Sequence, residues 1–286
     1  MRVAAVDLGT NTTRLLVADV DGDTVDEVHR ESRITRLGEG VDARRRLLPL
    51  PVARVRNALT DYRRTLESLG AERTLAVATS AVRDAENGEA FLGEVEWSYG
   101  FATRLASGEE EAELTRRGVA PPPGTLVLDI GGGSTELVLD AFHVSLPMGS
   151  VRFTERYGDD VPRIEHEARA LLPAIAPEEA IGVAGTVLQL AALVRTTRLT
   201  RARAREQLDR LADMSLAERR AVPRMEPERA PVIVAGAAIL VAALDAYDLD
   251  AIEVSERDIL DGIALAAAEL PTPVEGDAPP GAYTCC

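Results

Sequence analysis

A gapless internal repeat constrains this chain more than any other feature. Asp7-Leu8-Gly9-Thr10-Asn11-Thr12-Thr13-Arg14-Leu15-Leu16-Val17 aligns with Asp129-Ile130-Gly131-Gly132-Gly133-Ser134-Thr135-Glu136-Leu137-Val138-Leu139. Acid, aliphatic, glycine, two small or polar turn residues, hydroxyl, threonine, charge and aliphatic run recur in that order. Apolar runs on both sides of a glycine turn predict the two strands of a hairpin. Gly131, Gly132 and Gly133 leave backbone N–H groups uncovered, so that a phosphate oxygen can reach the main chain. Asp129 stands before the glycines and Glu136 after them, and carboxylates beside such a turn can hold Mg²⁺ or another divalent cation. Asp7 occupies the same place in the first copy. A lone glycine turn is most simply a tight turn. Two aligned copies predict two related lobes, each presenting a phosphate-binding hairpin to a shared cleft.

Composition removes several classes of chemistry. All 32 basic residues are arginine, which excludes a Walker A lysine, a protein-kinase lysine and a Schiff-base lysine. His29, His143 and His166 fall in no metal-ligand spacing. The only cysteines, Cys285 and Cys286, are adjacent, so the fold is expected not to depend on a disulfide. A net charge of -15 disfavours non-specific nucleic-acid binding and requires that a polyanion meet a local cationic surface and a divalent ion. No apolar run is long enough to span a bilayer, and the N-terminus leads straight into a strand. A cytoplasmic protein with no nucleic-acid or membrane partner is expected.

Along the chain, strands are predicted at Arg2–Val6, Thr13–Asp19 and Thr24–Arg33, and a helix at Pro51–Leu69 that ends at Gly70. Arg36–Gly40 reads as a polar loop. Pro121-Pro122-Pro123-Gly124 reads as a stiff linker. It predicts lobes at 1–120 and 125–270, with a disordered tail at 271–286. A strand at Ala180–Ala184 leads into a helix opened by Gly185 and Thr186, whose free N–H groups can bind an anion. Thr200–Arg220 is expected to be one arginine-rich helix. The last helix, Ser255–Leu270, is expected within the second lobe.

The segments AAVDLGTNTTRLLVADV, RLGEGV, VATSAVRDAENGEAFL, SGEEEAEL, LVLDIGGGSTELVL, SLPMGSVRFTE, GVAGTVLQLAAL, VIVAGAAIL and SERDILDGIAL run in order from Val3 to about Leu265. Together they resemble the Ppx/GppA phosphatases, which belong to the actin, sugar kinase and Hsp70 superfamily. The resemblance implies an α/β fold of two ribonuclease-H-like (actin-like ATPase superfamily) lobes around a central cleft, without the extra helical domains of longer relatives. It also implies an exopolyphosphatase that releases orthophosphate from the end of linear polyphosphate, or else a guanosine pentaphosphate 5′-phosphohydrolase. The family's catalytic glutamate directly precedes an alanine, which selects Glu111 and leaves Glu109 and Glu110 as helix-end charges. By the same resemblance, Arg83 is a phosphate ligand. Thr10, Asn11 and Arg14 hold phosphate from one hairpin, and Gly131, Gly132, Gly133 and Ser134 from the other. Gly185 and Thr186 contact the phosphate chain, and Asp129, Glu136 and Asp7 position Mg²⁺. In the final motif Leu260 stands where some members carry arginine. A homodimer is an expectation from the family. A superfamily kinase or a non-catalytic phosphate sensor is the contrasting reading, but the chain shows no motif for a phosphate acceptor.

Overall fold

The computed structural model describes residues 1–271 in two units. The expected tail from 272 onward, with Cys285 and Cys286, lies outside the described residues. Unit 1 comprises Met1–Gly118 and the segment from Ile259 onward, and unit 2 comprises Val119–Asp258.

Unit 1 contains β1 (Arg2–Leu8), β2 (Thr12–Asp21), β3 (Thr24–Ile34), α1 (Val41–Arg44), α2 (Pro49–Ser68), β4 (Arg73–Ala78), α3 (Ser80–Arg83), α4 (Gly88–Tyr99), β5 (Ala102–Leu105) and α5 (Gly108–Val119, crossing the boundary by one residue). Its sheet runs β3-β2-β1-β4-β5, with β1–β2–β3 antiparallel and β4 and β5 parallel to β1. The central strands are apolar on both faces, as strands covered on both sides must be. Ala4, Val6, Leu15 and Val17 face one way. They meet the stripe Val52, Val55, Leu59, Tyr62 and Leu66, which α2 presents at three- and four-residue spacing. Val3, Ala5, Leu16 and Ala18 face the other way.

That second face is covered by α12 (Ile259–Ala268), which the sequence reading places in the other lobe. Apart from Asp261, which pairs with Arg30 of β3 at 3.0 Å, the helix is apolar, so its own pattern shows only that it must be buried. Its small residues let it lie close: a Cβ added at Gly262 would fall 1.8 Å from the Leu114 carbonyl oxygen of α5. The chain therefore returns to unit 1 after completing unit 2.

Unit 2 contains β6 (Thr125–Ile130), β7 (Thr135–Leu139), β8 (Phe142–Leu146), α6 (Ser150–Tyr157), α7 (Val161–Leu171), β9 (Glu179–Val183), α8 (Ala184–Val194), β10 (Arg198–Thr200), α9 (Arg201–Ala212), α10 (Leu216–Ala221), α11 (Ile233–Ala246) and β11 (Ala251–Val254). Its sheet order, β10-β11-β9-β6-β7-β8, repeats that of unit 1 with one antiparallel edge strand added. Helix α11, apolar from Ile233 to Leu244, is buried at its centre, and Asp245 near its end pairs with Arg169 and Arg205. The boundary falls at Gly118, so the proline run lies inside unit 2. The long helix expected at Thr200–Arg220 is broken, because Ser215 and Glu218 form a capping box that starts α10 afresh. No helix among the described residues is long and apolar enough to cross a membrane.

Gly262→Ala should lower stability by about 1–3 kcal/mol, since the new methyl meets backbone rather than a movable side chain. Gly93→Ala, exposed in α4 with nothing within 4 Å of the added methyl, should stabilise by about 0.5–1 kcal/mol. Urea unfolding of the two variants checks both signs.

Candidate functional site

The repeat forms two hairpins of matching construction. In unit 2, the Gly131 N–H closes the turn on the Ser134 carbonyl at 3.0 Å. Helix α6 then turns its first N–H groups onto the turn's carbonyls. Ser150 donates to Gly131 (3.0 Å), and Val151 and Arg152 donate to Gly132 (2.8 and 3.1 Å). The Arg152 side chain donates from Nε to the Gly133 carbonyl at 2.6 Å. This approach needs glycine at 149, where an added Cβ would fall 2.5 Å from the Gly132 carbonyl oxygen. With the carbonyls engaged, the N–H groups of Gly132, Gly133 and Ser134 carry no hydrogen bond to the described residues. They form a ready nest for an anion. Arg152 braces this turn.

Asp129 and Glu136 are direct partners across β6–β7, so their carboxylates lie on one face of the sheet. Both are buried, at 6% and 2% exposure. The Ser145 hydroxyl on β8 donates to Glu136 Oε1 at 2.7 Å. Two buried carboxylates side by side suit a cation. Among the described residues no cluster of three or more Asp, Glu, His or Cys forms a closed metal cage. The donor set thus fits Mg²⁺, which takes one or two carboxylates and completes its shell with water and phosphate oxygens.

In unit 1, the Gly9 N–H closes its turn on Thr12 at 3.1 Å. The loop after β3 plays the part of α6. Gly38 N–H donates to the Thr10 carbonyl (2.8 Å), and Thr35 and Arg36 donate to that of Asn11 (3.0 and 2.9 Å). Both polar atoms of the Asn11 amide are buried and lack a hydrogen-bond partner among the described residues. A buried amide with no protein partner takes its hydrogen bonds from water or a ligand. Beneath the turn, the Tyr62 hydroxyl donates to the Thr13 carbonyl at 2.8 Å, and burial pushes that phenol well above its ordinary pKa. One feature breaks the symmetry. Arg14 occupies the position of Glu136 and donates from Nε and Nη2 to Asp7 Oδ2 at 2.9 and 2.8 Å. The Arg14 guanidinium engages Asp7 through one oxygen, Oδ2.

At the start of α5, Ser107 and Glu110 cap each other, with backbone-to-side-chain hydrogen bonds in both directions. Glu109 and Glu110 are exposed, whereas Glu111 is buried. Arg83, the last residue of the single-turn α3, donates from Nη1 to the Ala106 carbonyl (2.8 Å) and to Glu111 Oε2 (3.1 Å). The two residues singled out in separate motifs therefore meet.

At the head of α8, Ala184 takes a left-handed φ of 64°, and the buried Arg229 lies directly on Gly185. A Cβ at Gly185 would fall 2.1 Å from Arg229 Nη1. The Gln189 amide holds the loop that carries Arg229. It donates to the Arg224 carbonyl (2.9 Å) and accepts from the Glu226 N–H (3.0 Å). Sequence reading missed Arg229, because nothing local marks it; it stands 43 residues after Thr186. Its guanidinium, paired with Glu226 at 3.1 Å, stands beside the Gly185–Thr186 helix start.

Residues 16–269 match the Ppx/GppA phosphatase family. The chain belongs to this family. Exopolyphosphatase 2 of Mycobacterium tuberculosis is 40% identical, across 93% of this chain and 98% of the relative. A crystal structure of an Aquifex aeolicus family member superposes with a TM-score of 0.76 at 27% identity, covering 94% of this chain and 98% of that one. An exopolyphosphatase structure from Cytophaga hutchinsonii shares the fold, with a TM-score of 0.85 at 24% identity over 95% of this chain and 99% of that one.

The two glycine contacts should respond differently to alanine. Gly149→Ala sets a methyl against backbone and should cost about 1–3 kcal/mol of stability. Gly185→Ala meets only the end of the Arg229 side chain, which can swing away, so stability should change by less than about 0.5 kcal/mol. Thermal unfolding of the two variants checks the contrast.

Proposed function

We propose that the protein is an exopolyphosphatase that hydrolyses the terminal phosphate of linear polyphosphate and releases orthophosphate. The observation that most supports this is one turn in which unengaged N–H groups adjoin two buried carboxylates. That pairing suits a phosphate and its metal rather than a nucleobase or a sugar. The family and the 40% identical exopolyphosphatase point the same way.

In unit 2, the N–H groups of Gly132, Gly133 and Ser134 bind oxygens of a phosphoryl group. Asp129 and Glu136 would hold Mg²⁺ directly or through water, and the ion would supply neutralisation of negative charge on the phosphate oxygens. In unit 1, Glu111 accepts the proton of the attacking water as its oxygen bonds to phosphorus and the bridging P–O bond breaks. Arg83, anchored on the Ala106 carbonyl, fixes the orientation of that carboxylate. The Asn11 amide orients a phosphate oxygen. Arg229 and the head of α8 meet the charge that develops on the shortened chain.

Phosphate release should be measured with Mg²⁺ on short polyphosphate, long polyphosphate, guanosine pentaphosphate and ATP. Polyphosphate is expected to be the preferred substrate; release from the pentaphosphate alone would replace this reading. Glu111→Gln should lower kcat by about 10²–10⁴-fold with the unfolding transition unchanged. A rate close to wild type would remove Glu111 from its role. Ser145→Ala, which takes the hydroxyl from Glu136, should weaken divalent-ion affinity by about 10–100-fold, as read by Mn²⁺ calorimetry without substrate.

A further inference from the structure

Three consecutive arginines, Arg44, Arg45 and Arg46, stand exposed at the end of α1. None of their side chains has an ion-pair partner among the described residues. The chain as a whole is acidic, with 47 acids against 32 arginines. Neighbouring surface arginines in the same unit are matched with carboxylates: Arg54 with Glu39, Arg56 with Glu94, and Arg63 with Glu67. Three adjacent, uncompensated guanidiniums repel one another and create a local positive field on an acidic protein.

The segment that carries them is firmly held. Arg45 takes a left-handed φ of 54°, and its carbonyl accepts the Glu86 N–H at 2.8 Å. The Asn87 side chain accepts from the Leu47 N–H (2.8 Å) and donates to the Leu47 carbonyl (3.1 Å). Leu47 is buried, which fixes the backbone with the guanidiniums outward. The strip is also continuous with the first phosphate-binding turn. Gly38 donates to the Thr10 carbonyl, Val41 N–H donates to the Gly38 carbonyl at 3.0 Å, and α1 is a single turn of about 6 Å. The Arg44 stem folds back toward Gly40, its Cδ lying 3.8 Å from the Cβ position of that glycine.

We propose that Arg44, Arg45 and Arg46 form a docking strip for the part of a linear polyphosphate chain that lies beyond the phosphates at the reacting end. Guanidinium pairs phosphate oxygens in fixed, forked geometry, and each contact releases counterions. The strip thus makes long chains bind more tightly than short ones. The inference rests on the exopolyphosphatase reading and adds to it a preference for chain length.

The test uses the Glu111→Gln protein, so that binding is read without turnover, with long-chain polyphosphate and tripolyphosphate as probes. Replacing all three arginines by glutamine should weaken long-chain binding tenfold or more and leave tripolyphosphate binding unchanged. The slope of log affinity against log salt should fall in magnitude by about 2. In otherwise wild-type protein the same change should raise KM for long chains and spare kcat. An R203Q/R220Q/R224Q variant removes equal charge from exposed arginines of unit 2 and should bind both probes as before. Equal loss for both probes, no loss for either, or equal loss in the unit 2 variant overturns the strip. So does a single-stranded oligonucleotide that binds the strip as tightly as long polyphosphate. Wild-type protein that neither binds nor hydrolyses polyphosphate of any length overturns the exopolyphosphatase reading itself, a result distinct from hydrolysis that ignores the triple change.

Discussion

A peptide group in a tight turn presents its carbonyl and its N–H in opposite directions, so engaging one set leaves the other to face outward. In the unit 2 hairpin the carbonyls of Gly131, Gly132 and Gly133 are taken by the head of α6 and by Arg152. In unit 1 the carbonyls of Thr10 and Asn11 are taken by the loop after β3. Each turn is thereby locked in one orientation before any substrate arrives. That preorganisation is what a phosphate nest requires, since reorienting peptides during binding would consume binding energy. It also explains the glycines around the site. Gly149 lets α6 approach the turn, while Gly38 lets the loop pass Thr10, whose Cγ2 would lie 2.3 Å from an added Cβ.

The two hairpins diverge at one cross-strand position, and that difference divides their work. Asp129 faces Glu136, whereas Asp7 faces Arg14. In unit 2 two buried carboxylates stand side by side, with the Ser145 hydroxyl on Glu136. The unit 1 pair carries its own cation and leaves its turn to the uncharged Thr10 and Asn11. Glu111 is placed by a third device. A capping box fixes the start of α5, Arg83 grips the carboxylate, and the close passage of Gly262 against Leu114 fixes the same helix one turn further on.

Some of this was legible early because it is local. Glycines, flanking acids and apolar runs at fixed spacing determine a hairpin wherever it sits, and gapless alignment of two copies also carries the register. Alignment of Arg14 with Glu136 could have revealed the Asp7–Arg14 pair, because equivalent positions in a repeated hairpin have equivalent cross-strand partners. The capping box that breaks Thr200–Arg220 was likewise visible in Ser215 and Glu218. The expected single helix followed from weighing periodicity above capping.

By itself the sequence determined the α/β class, the two hairpins, the acids beside them and the exclusion of lysine chemistry. Each follows from residues near one another in the chain, where backbone geometry and side-chain type suffice. Only the tertiary structure decided that α12 belongs to unit 1, that Arg83 meets Glu111, and that Arg229 lies over Gly185. The physical reason is the same in all three cases. A helix that is apolar but for one acid, or an arginine with no periodic context, reveals that it needs a partner but not which one. The partner is chosen where a distant sheet face, carbonyl or glycine offers the matching surface.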